Sequence, residues 1–272
     1  MGSRALAEQA ARVVLAAVPS PPELGVILAT GFAPCADVLA EAVTIPFARL
    51  PGFRESAIPS HVNELVVGRL GDRTVAMVKA KMLPCDGASW EEAGLAARTL
   101  ALAGCPNLFY TANSGSMRED VLPGDFMVIT DHINFSGVNP LSSEREGGGW
   151  RTPYLSVADL YDPVLTARLQ EGAESAGLRL PAGVAGYWMG PSFETPAEIA
   201  MARTAGCSVS SNSFLPEVMA AFHAGMRVVA VTFISTRSAG MGDPIVLESV
   251  LEVTRAAHDR FRILLRVAAE AL

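Results

Sequence analysis

Residues 24–31 read LGVILATG. Positions 24–29 are a short apolar run that closes at Thr30-Gly31. Such a run predicts a buried strand followed by a tight turn, because a strand covered on both faces is apolar at every position and not at alternate ones. Upstream, residues 4–17 (RALAEQAARVVLAA) are Ala-rich with apolar positions at helical spacing, and Pro19, Pro21 and Pro22 break that helix. Downstream, residues 64–67 and 74–79 read as paired strands joined by Gly71-Asp72, and residues 90–103 as a helix stopped by Gly104. Residues 107–111 (NLFYT) predict a strand ending in a loop over 113–116, and 126–130 a further strand. A helix over 164–176 with Pro163 at its start, a strand over 184–189, helices over 196–204 and 218–224 and a strand over 227–234 follow. Residues 246–272 read as one long amphipathic closing helix.

Strands alternating with helices predict an α/β fold with a mixed central sheet. No Pro/Ser-rich linker divides the chain, so residues 1–272 are expected to form a single domain, with an N-terminal helix inside residues 1–20. Ligands of such sheets sit beyond the carboxyl ends of the strands. The small-residue loops after Ala29, Thr111, Met189 and Ile234 are therefore expected to line one pocket.

Half of the 272 residues are hydrophobic, enough for a sizeable core, and the net charge is -7. A protein that neutralises nucleic-acid phosphates carries a basic face, so the acidic balance argues against that class. Cys35, Cys85, Cys105 and Cys207 are scattered without CxxC spacing, as are His61, His132, His223 and His258 without a metal-ligand pattern. Reduced thiols in a cytoplasmic protein and no metal are the expectations. No apolar run approaches the roughly 18 residues of a membrane span, and residues 1–10 lack the apolar core of a signal peptide.

Several stretches resemble the trimeric purine nucleoside phosphorylases. The strongest is residues 190–198 (GPSFETPAE); the others are 131–134 (DHIN) with its extension through Leu141, 58–61 (IPSH), 122–125 (LPGD) and 215–218 (LPEV). They follow the family's order and nearly its spacing from about residue 20 to the C-terminus. The resemblance implies a three-layer α/β/α domain, a homotrimer, no metal and no organic cofactor. It implies that phosphate, as co-substrate, attacks the anomeric carbon of a purine nucleoside and releases base and pentose 1-phosphate.

That chemistry makes two demands. The purine leaves with developing negative charge, which hydrogen bonds must stabilise, and a phosphate must be held in attack geometry. By the resemblance, Glu194, Thr236 and His61 are the catalytic candidates. Glu194 matches the carboxylate that holds the base, Thr236 stands where an asparagine bonds purine N7, and His61 matches a histidine near phosphate and sugar. A turn carboxylate and a structural histidine are the plainer readings of two of these. Phe193 matches the aromatic on the purine face, Tyr187 a tyrosine near the sugar, and Tyr154 an aromatic sent across the trimer interface. Asn212 replaces a methionine under the sugar. Leu247 replaces a histidine near the 5′-hydroxyl, and an apolar group there disfavours that hydroxyl by about 1–3 kcal/mol. Thr30, Lys81, His61, Asn113 and Ser213 are the phosphate candidates.

The departures pull in a different direction. Lys81 and Leu83 stand where the family has an arginine and a histidine, and lysine lacks the bidentate fork. Cys85 and Asp86 replace a tyrosine and a glutamate. A phosphorylase of an ordinary or modified nucleoside, a hydrolase or transglycosidase on the same fold, and a catalytically silent nucleoside binder all fit this pattern.

Overall fold

A computed structural model describes residues 2–56, 61–142, 149–242 and 246–272. Its helices are α1 (Ser3–Ala17), α2 (Trp90–Leu102), α3 (Pro163–Ser175), α4 (Pro196–Thr204), α5 (Leu215–His223), α6 (Leu247–Ala256) and α7 (His258–Ala271). The strands are β1 (Leu24–Ile27), β2 (Ala40–Pro46), β3 (Glu64–Leu70), β4 (Arg73–Val78), β5 (Asn107–Ser116), β6 (Phe126–Asn134), β7 (Ala182–Tyr187), β8 (Cys207–Ser211) and β9 (Arg227–Arg237). They form one mixed sheet in the order β2-β3-β4-β1-β5-β8-β7-β6-β9. Because β9 also pairs with β5, the last five strands close into a ring.

The apolar run that opens the reading, β1, lies parallel between β4 and β5 and is buried at every position. One of its faces meets α1, α2 and α5 through residues such as Val14, Leu100 and Val218; the other meets α3 and α7 through Leu165, Phe261 and Leu264. This is the expected three-layer α/β/α arrangement. Local signals start the helices. Ser89 and Thr195 cap α2 and α4 through reciprocal bonds with Glu92 and Glu198, and Pro163 and Pro196 occupy first turns, where no amide hydrogen is missed. No helix among the described residues is long and apolar enough to cross a membrane.

Three expectations fail. Residues 113–116 are not a loop but the end of β5, which pairs with β9 as far as Ser116↔Arg237. The Asn-Ser-Gly-Ser sequence has turn composition, and the backbone partners supplied by β9 override it. The closing helix is two helices, broken at Ala257, where α6 ends and α7 begins. The strand expected over 184–189 ends at Tyr187. Two strands, β2 and β8, were not foreseen: β2 is exposed at nearly every position and β8 is rich in serine, so neither carries an apolar alternation.

Under the first strand end, Phe32 is buried between Phe261 and Phe233, with ring centroids 4.3 and 5.0 Å away. This packing anchors the turn at Thr30-Gly31 to α7. Replacing Phe32 with Ala is expected to cost about 3–5 kcal/mol of stability, from lost burial and an unfilled cavity. Urea denaturation of the two proteins measures it, and a change under about 1 kcal/mol would mean that the site collapses around the smaller side chain.

Candidate active site

Where the strand ends converge lies a cavity of about 380 Å³, within the size range of small-molecule sites. The four expected segments all reach it, through Thr30, then Asn113 to Gly115, then Ser192 to Glu194, then Ser235, Thr236 and Ser238. Ser210, Ser211, Asn212 and Ser213 add the fifth wall, from the end of β8 and the turn into α5.

Thr30 sits just beyond β1. The amide of Ala29 donates to Thr111 Oγ1 at 2.7 Å, and the amide of Asn113 donates through Nδ2 to the Thr30 carbonyl at 2.9 Å. Gly31 follows at φ +89°, a left-handed conformation that costs glycine little, and a Cβ there would come within 2.8 Å of Thr254 Cγ2. The Thr30 hydroxyl is 2.9 Å from His61 Nε2. Burial drives the imidazole to about 4, with the Lys81 charge adding to the effect and Asp86 opposing it. His61 itself stands behind Thr30 and does not line the cavity.

Residues Ser235 and Thr236 are adjacent in β9, and adjacent strand residues ordinarily point to opposite faces. Both line the cavity because the β5–β9 register shifts there: Ser114 pairs with Ile234 and Gly115 with Thr236, leaving Ser235 as an extra residue. Glu194 precedes the cap Thr195 of α4, so the capping box that starts the helix also sets where the carboxylate stands. Burial raises the Glu194 pKa, with a like-charge contribution from Glu198; hydrogen bonding to backbone and to Ser210 works against the rise. Phe193 lines the same cavity while remaining 64% exposed. Asn212 is held against Gly190, whose φ of +71° and 2.8 Å approach to Asn212 Nδ2 leave no room for a side chain.

Other expected residues are placed elsewhere. Lys81 is 2% exposed and turned inward: Nζ donates to the Tyr110 hydroxyl at 2.8 Å, to the Thr111 carbonyl at 2.5 Å and to the Ser213 carbonyl at 3.2 Å. Its pKa is lowered by burial, and the charge of Glu217 opposes the shift. Glu217 is raised by burial, with Lys81 opposing, and neither carboxylate oxygen has a hydrogen-bond partner among the described residues. Tyr187 is fully buried, its ring edge-on to Phe214 at 5.4 Å, and it does not reach the cavity. It closes β7 on the face that packs toward α2 and α5, which puts the phenol in the core. Tyr154 is 87% exposed and apart from the cavity. The side chain of Leu247 lies outside the described residues.

Among the described residues that line the cavity none is cationic, and Leu83 and Cys85 occupy the wall where Lys81 was expected. The contributions of Ser210, Ser235 and Ser238 went unread in the sequence. Serines in β-rich stretches look like solvent-facing positions, and only the ring closure of five strands turns them inward.

A family model described as the phosphorylase superfamily matches residues 23–269. The chain is 35% identical to purine nucleoside phosphorylase 1 of Geobacillus stearothermophilus, over 95% of this chain and 94% of that protein. It is 34% identical to purine nucleoside phosphorylase 1 of Bacillus subtilis, over 93% and 94%. The chain belongs to the purine nucleoside phosphorylase family. Its fold superposes on the Schistosoma mansoni purine nucleoside phosphorylase solved with inosine, with a TM-score of 0.92, 26% identity and coverage of 100% of this chain and 98% of that one. The cavity floor therefore belongs to a fold shared by these phosphorylases, while the inward lysine and the serine-rich wall are features of this member's own sequence.

A depressed histidine makes stability pH-dependent in a fixed direction. As pH falls from about 6.5 towards about 4, the unfolded chain takes up a proton at His61 and the folded chain does not, so this residue's contribution declines across that window. Urea midpoints of the wild type and of His61→Asn, measured from neutral pH down to about 4.5, are expected to show the steeper fall in the wild type. Parallel profiles would mean that His61 takes up its proton as readily in the folded chain as in the unfolded one.

Proposed function

We propose that this protein catalyses phosphorolysis of the N-glycosidic bond of a purine nucleoside. A phosphate oxygen bonds to the anomeric carbon as the carbon–nitrogen bond breaks. The bonding pair leaves with the purine, which gains a proton and is released as free base beside a pentose 1-phosphate. The observation that carries this reading is one cavity holding a half-buried carboxylate, Glu194, together with the hydroxyls of Thr30 and Ser213, in a chain of the purine nucleoside phosphorylase family. The carboxylate suits a ring N–H of the base, and the hydroxyls suit an oxyanion.

In this reading Glu194 and Thr236 meet the base, Phe193 packs on its face and Asn212 lies by the sugar. Ser213, Asn113 and Thr30 hold phosphate, with His61 acting through Thr30. Lys81 contributes by holding the Thr111 and Ser213 carbonyls in place, and its charge acts on the anion through the wall. The exposed Tyr154 suits a role across a subunit boundary, as part of a homotrimer. The protein is proposed to work in the cytoplasm on purine nucleoside and inorganic phosphate, without metal or organic cofactor. Free thiols at Cys35, Cys85, Cys105 and Cys207 suit that compartment.

A second reading, hydrolysis or transfer to another acceptor, is favoured by one observation: no cation among the described lining residues faces the nucleophile's place. Incubation with inosine, guanosine, adenosine and 5′-deoxyadenosine, each with and without phosphate, separates the two. Base release that requires phosphate is the expected result, and release at equal rate without it establishes hydrolysis.

Glu194→Ala is expected to lower kcat/KM by at least about 100-fold, because a charged hydrogen bond at the developing charge is lost. An unchanged rate would remove Glu194 from the base site. Ser213→Ala is expected chiefly to raise the KM for phosphate. A change confined to the nucleoside KM would place the anion elsewhere.

A further inference from the structure

Behind the cavity wall runs a chain of hydrogen bonds that the reaction as described does not use. Thr30 Oγ1 meets His61 Nε2 at 2.9 Å, His61 Nδ1 meets Ser56 Oγ at 2.8 Å, and Ser56 Oγ donates to Asp86 Oδ2 at 3.2 Å. Its first member lines the cavity and its last is a half-buried carboxylate.

The direction of this chain follows from what each group can do. A carboxylate only accepts, so the one proton of the Ser56 hydroxyl is directed to Asp86, in a bond strengthened by charge. Ser56 Oγ can then only accept from His61, which places the imidazole proton on Nδ1. His61 is held neutral by its burial, so Nε2 carries no proton and must accept. The proton of the Thr30 hydroxyl therefore points away from the cavity, towards His61. What Thr30 turns to the cavity is a lone pair.

A second hydroxyl has the same polarity. Ser211 Oγ donates to the Asn113 carbonyl at 2.8 Å, so it too offers lone pairs to its other neighbours. Ser213 Oγ, 3.5 Å from Ser211 Oγ, and the second N–H of Asn113 are left as donors. The anion bay is thus a mixture of donors and acceptors without a lining cation among the described residues. An oxyanion that carries a proton satisfies both kinds of group. An oxyanion with no proton puts its negative oxygens against the lone pair of Thr30.

We propose that Asp86 and Ser56 are positioning residues that fix Thr30 as a hydrogen-bond acceptor, so that the bay selects protonated tetrahedral oxyanions, hydrogen phosphate and hydrogen arsenate, and rejects sulfate. Thr30 accepts from the P–OH, while Ser213 and Asn113 donate to the unprotonated oxygens. The proposal rests on the phosphorolysis reading for its place in the reaction, but its content is a binding selectivity that is measured without turnover.

The test is calorimetric titration of the full-length protein with phosphate, arsenate and sulfate at neutral pH and constant ionic strength. Phosphate and arsenate are expected to bind with similar affinity and sulfate about 10- to 100-fold more weakly, the range for a lost hydrogen bond and a lone-pair conflict at a charged group. Sulfate binding as tightly as phosphate would overturn the proposal, and so would failure of all three to bind. Asp86→Asn supplies the second arm. An amide can donate to Ser56, so the chain can reverse: Ser56 then donates to His61 Nδ1, Nε2–H donates to Thr30, and the Thr30 proton turns to the cavity. The variant, shown to be folded by its urea midpoint, is expected to gain sulfate affinity and lose most of the discrimination. Unchanged discrimination in the folded variant would remove Asp86 from this role. Failure of the phosphorolysis reading is seen separately, as base release indifferent to phosphate in the nucleoside incubations.

Discussion

The pairing of β5 on three sides is the constraint on which the remaining architecture depends. Its first half lies parallel to β1, its whole length lies parallel to β9, and its last residues meet β8 antiparallel. A strand so engaged cannot shift in register without breaking all three ladders, and a one-residue slip would exchange its two faces. The turn beyond β1 hangs on it through Thr111, whose hydroxyl accepts from Ala29 N–H and donates to the Ile27 carbonyl at 3.0 Å. The cavity floor is its carboxyl end, Asn113 to Gly115. The extra residue opposite, Ser235, is accommodated at the one point where the ladder shifts, and there the base-side hydroxyls are brought round to one face.

Beneath that floor is a polar cluster that is costly to bury. Lys81 ties the end of β5 to the turn before α5 by donating to two carbonyls, and the Tyr110 hydroxyl donates to the same Ser213 carbonyl. The ammonium thus holds together two walls of the cavity from behind. A guanidinium would present a planar fork of five donors in this place; the single nitrogen of lysine is satisfied by three acceptors already in the protein. This explains how a positive charge can be present at this position in the sequence and yet absent from the lining. Glu217 balances part of that charge from the first turn of α5, and burial drives both groups towards their neutral forms.

The site is consequently richer in hydroxyls than in charges. Serine and threonine hydroxyls take their donor or acceptor character from what lies behind them, so the chemistry of this cavity is set one layer out: by His61 for Thr30, by the Asn113 carbonyl for Ser211, and by the capping box for Glu194. Such a wall is specific only as far as those supporting bonds are rigid. The burial of β5 and β9 on both faces, with helices packed over each, provides that rigidity.

The sequence by itself determined the layer order and most element types, because those depend on local facts: a doubly apolar run at β1, caps at Ser89 and Thr195, prolines at first turns. It also located the strand ends that converge on the cavity and named Thr30, Asn113, Phe193, Glu194, Asn212, Ser213 and Thr236 among its walls, since motif order carries chain position. Only the tertiary structure decided the rest. Residues 113–116 have turn composition and become strand through backbone bonds from β9, 120 residues away in sequence. Lys81 and Tyr187 are polar residues at plausible contact positions, yet they face the core, because the side on which a side chain emerges depends on register and on which carbonyls wait there. The polarity of the Thr30 hydroxyl depends on Ser56, His61 and Asp86, which meet only in three dimensions. Local propensity is written along the chain; the direction of a side chain and the identity of its partner are set by non-local pairing, and these decide what a cavity wall can donate or accept.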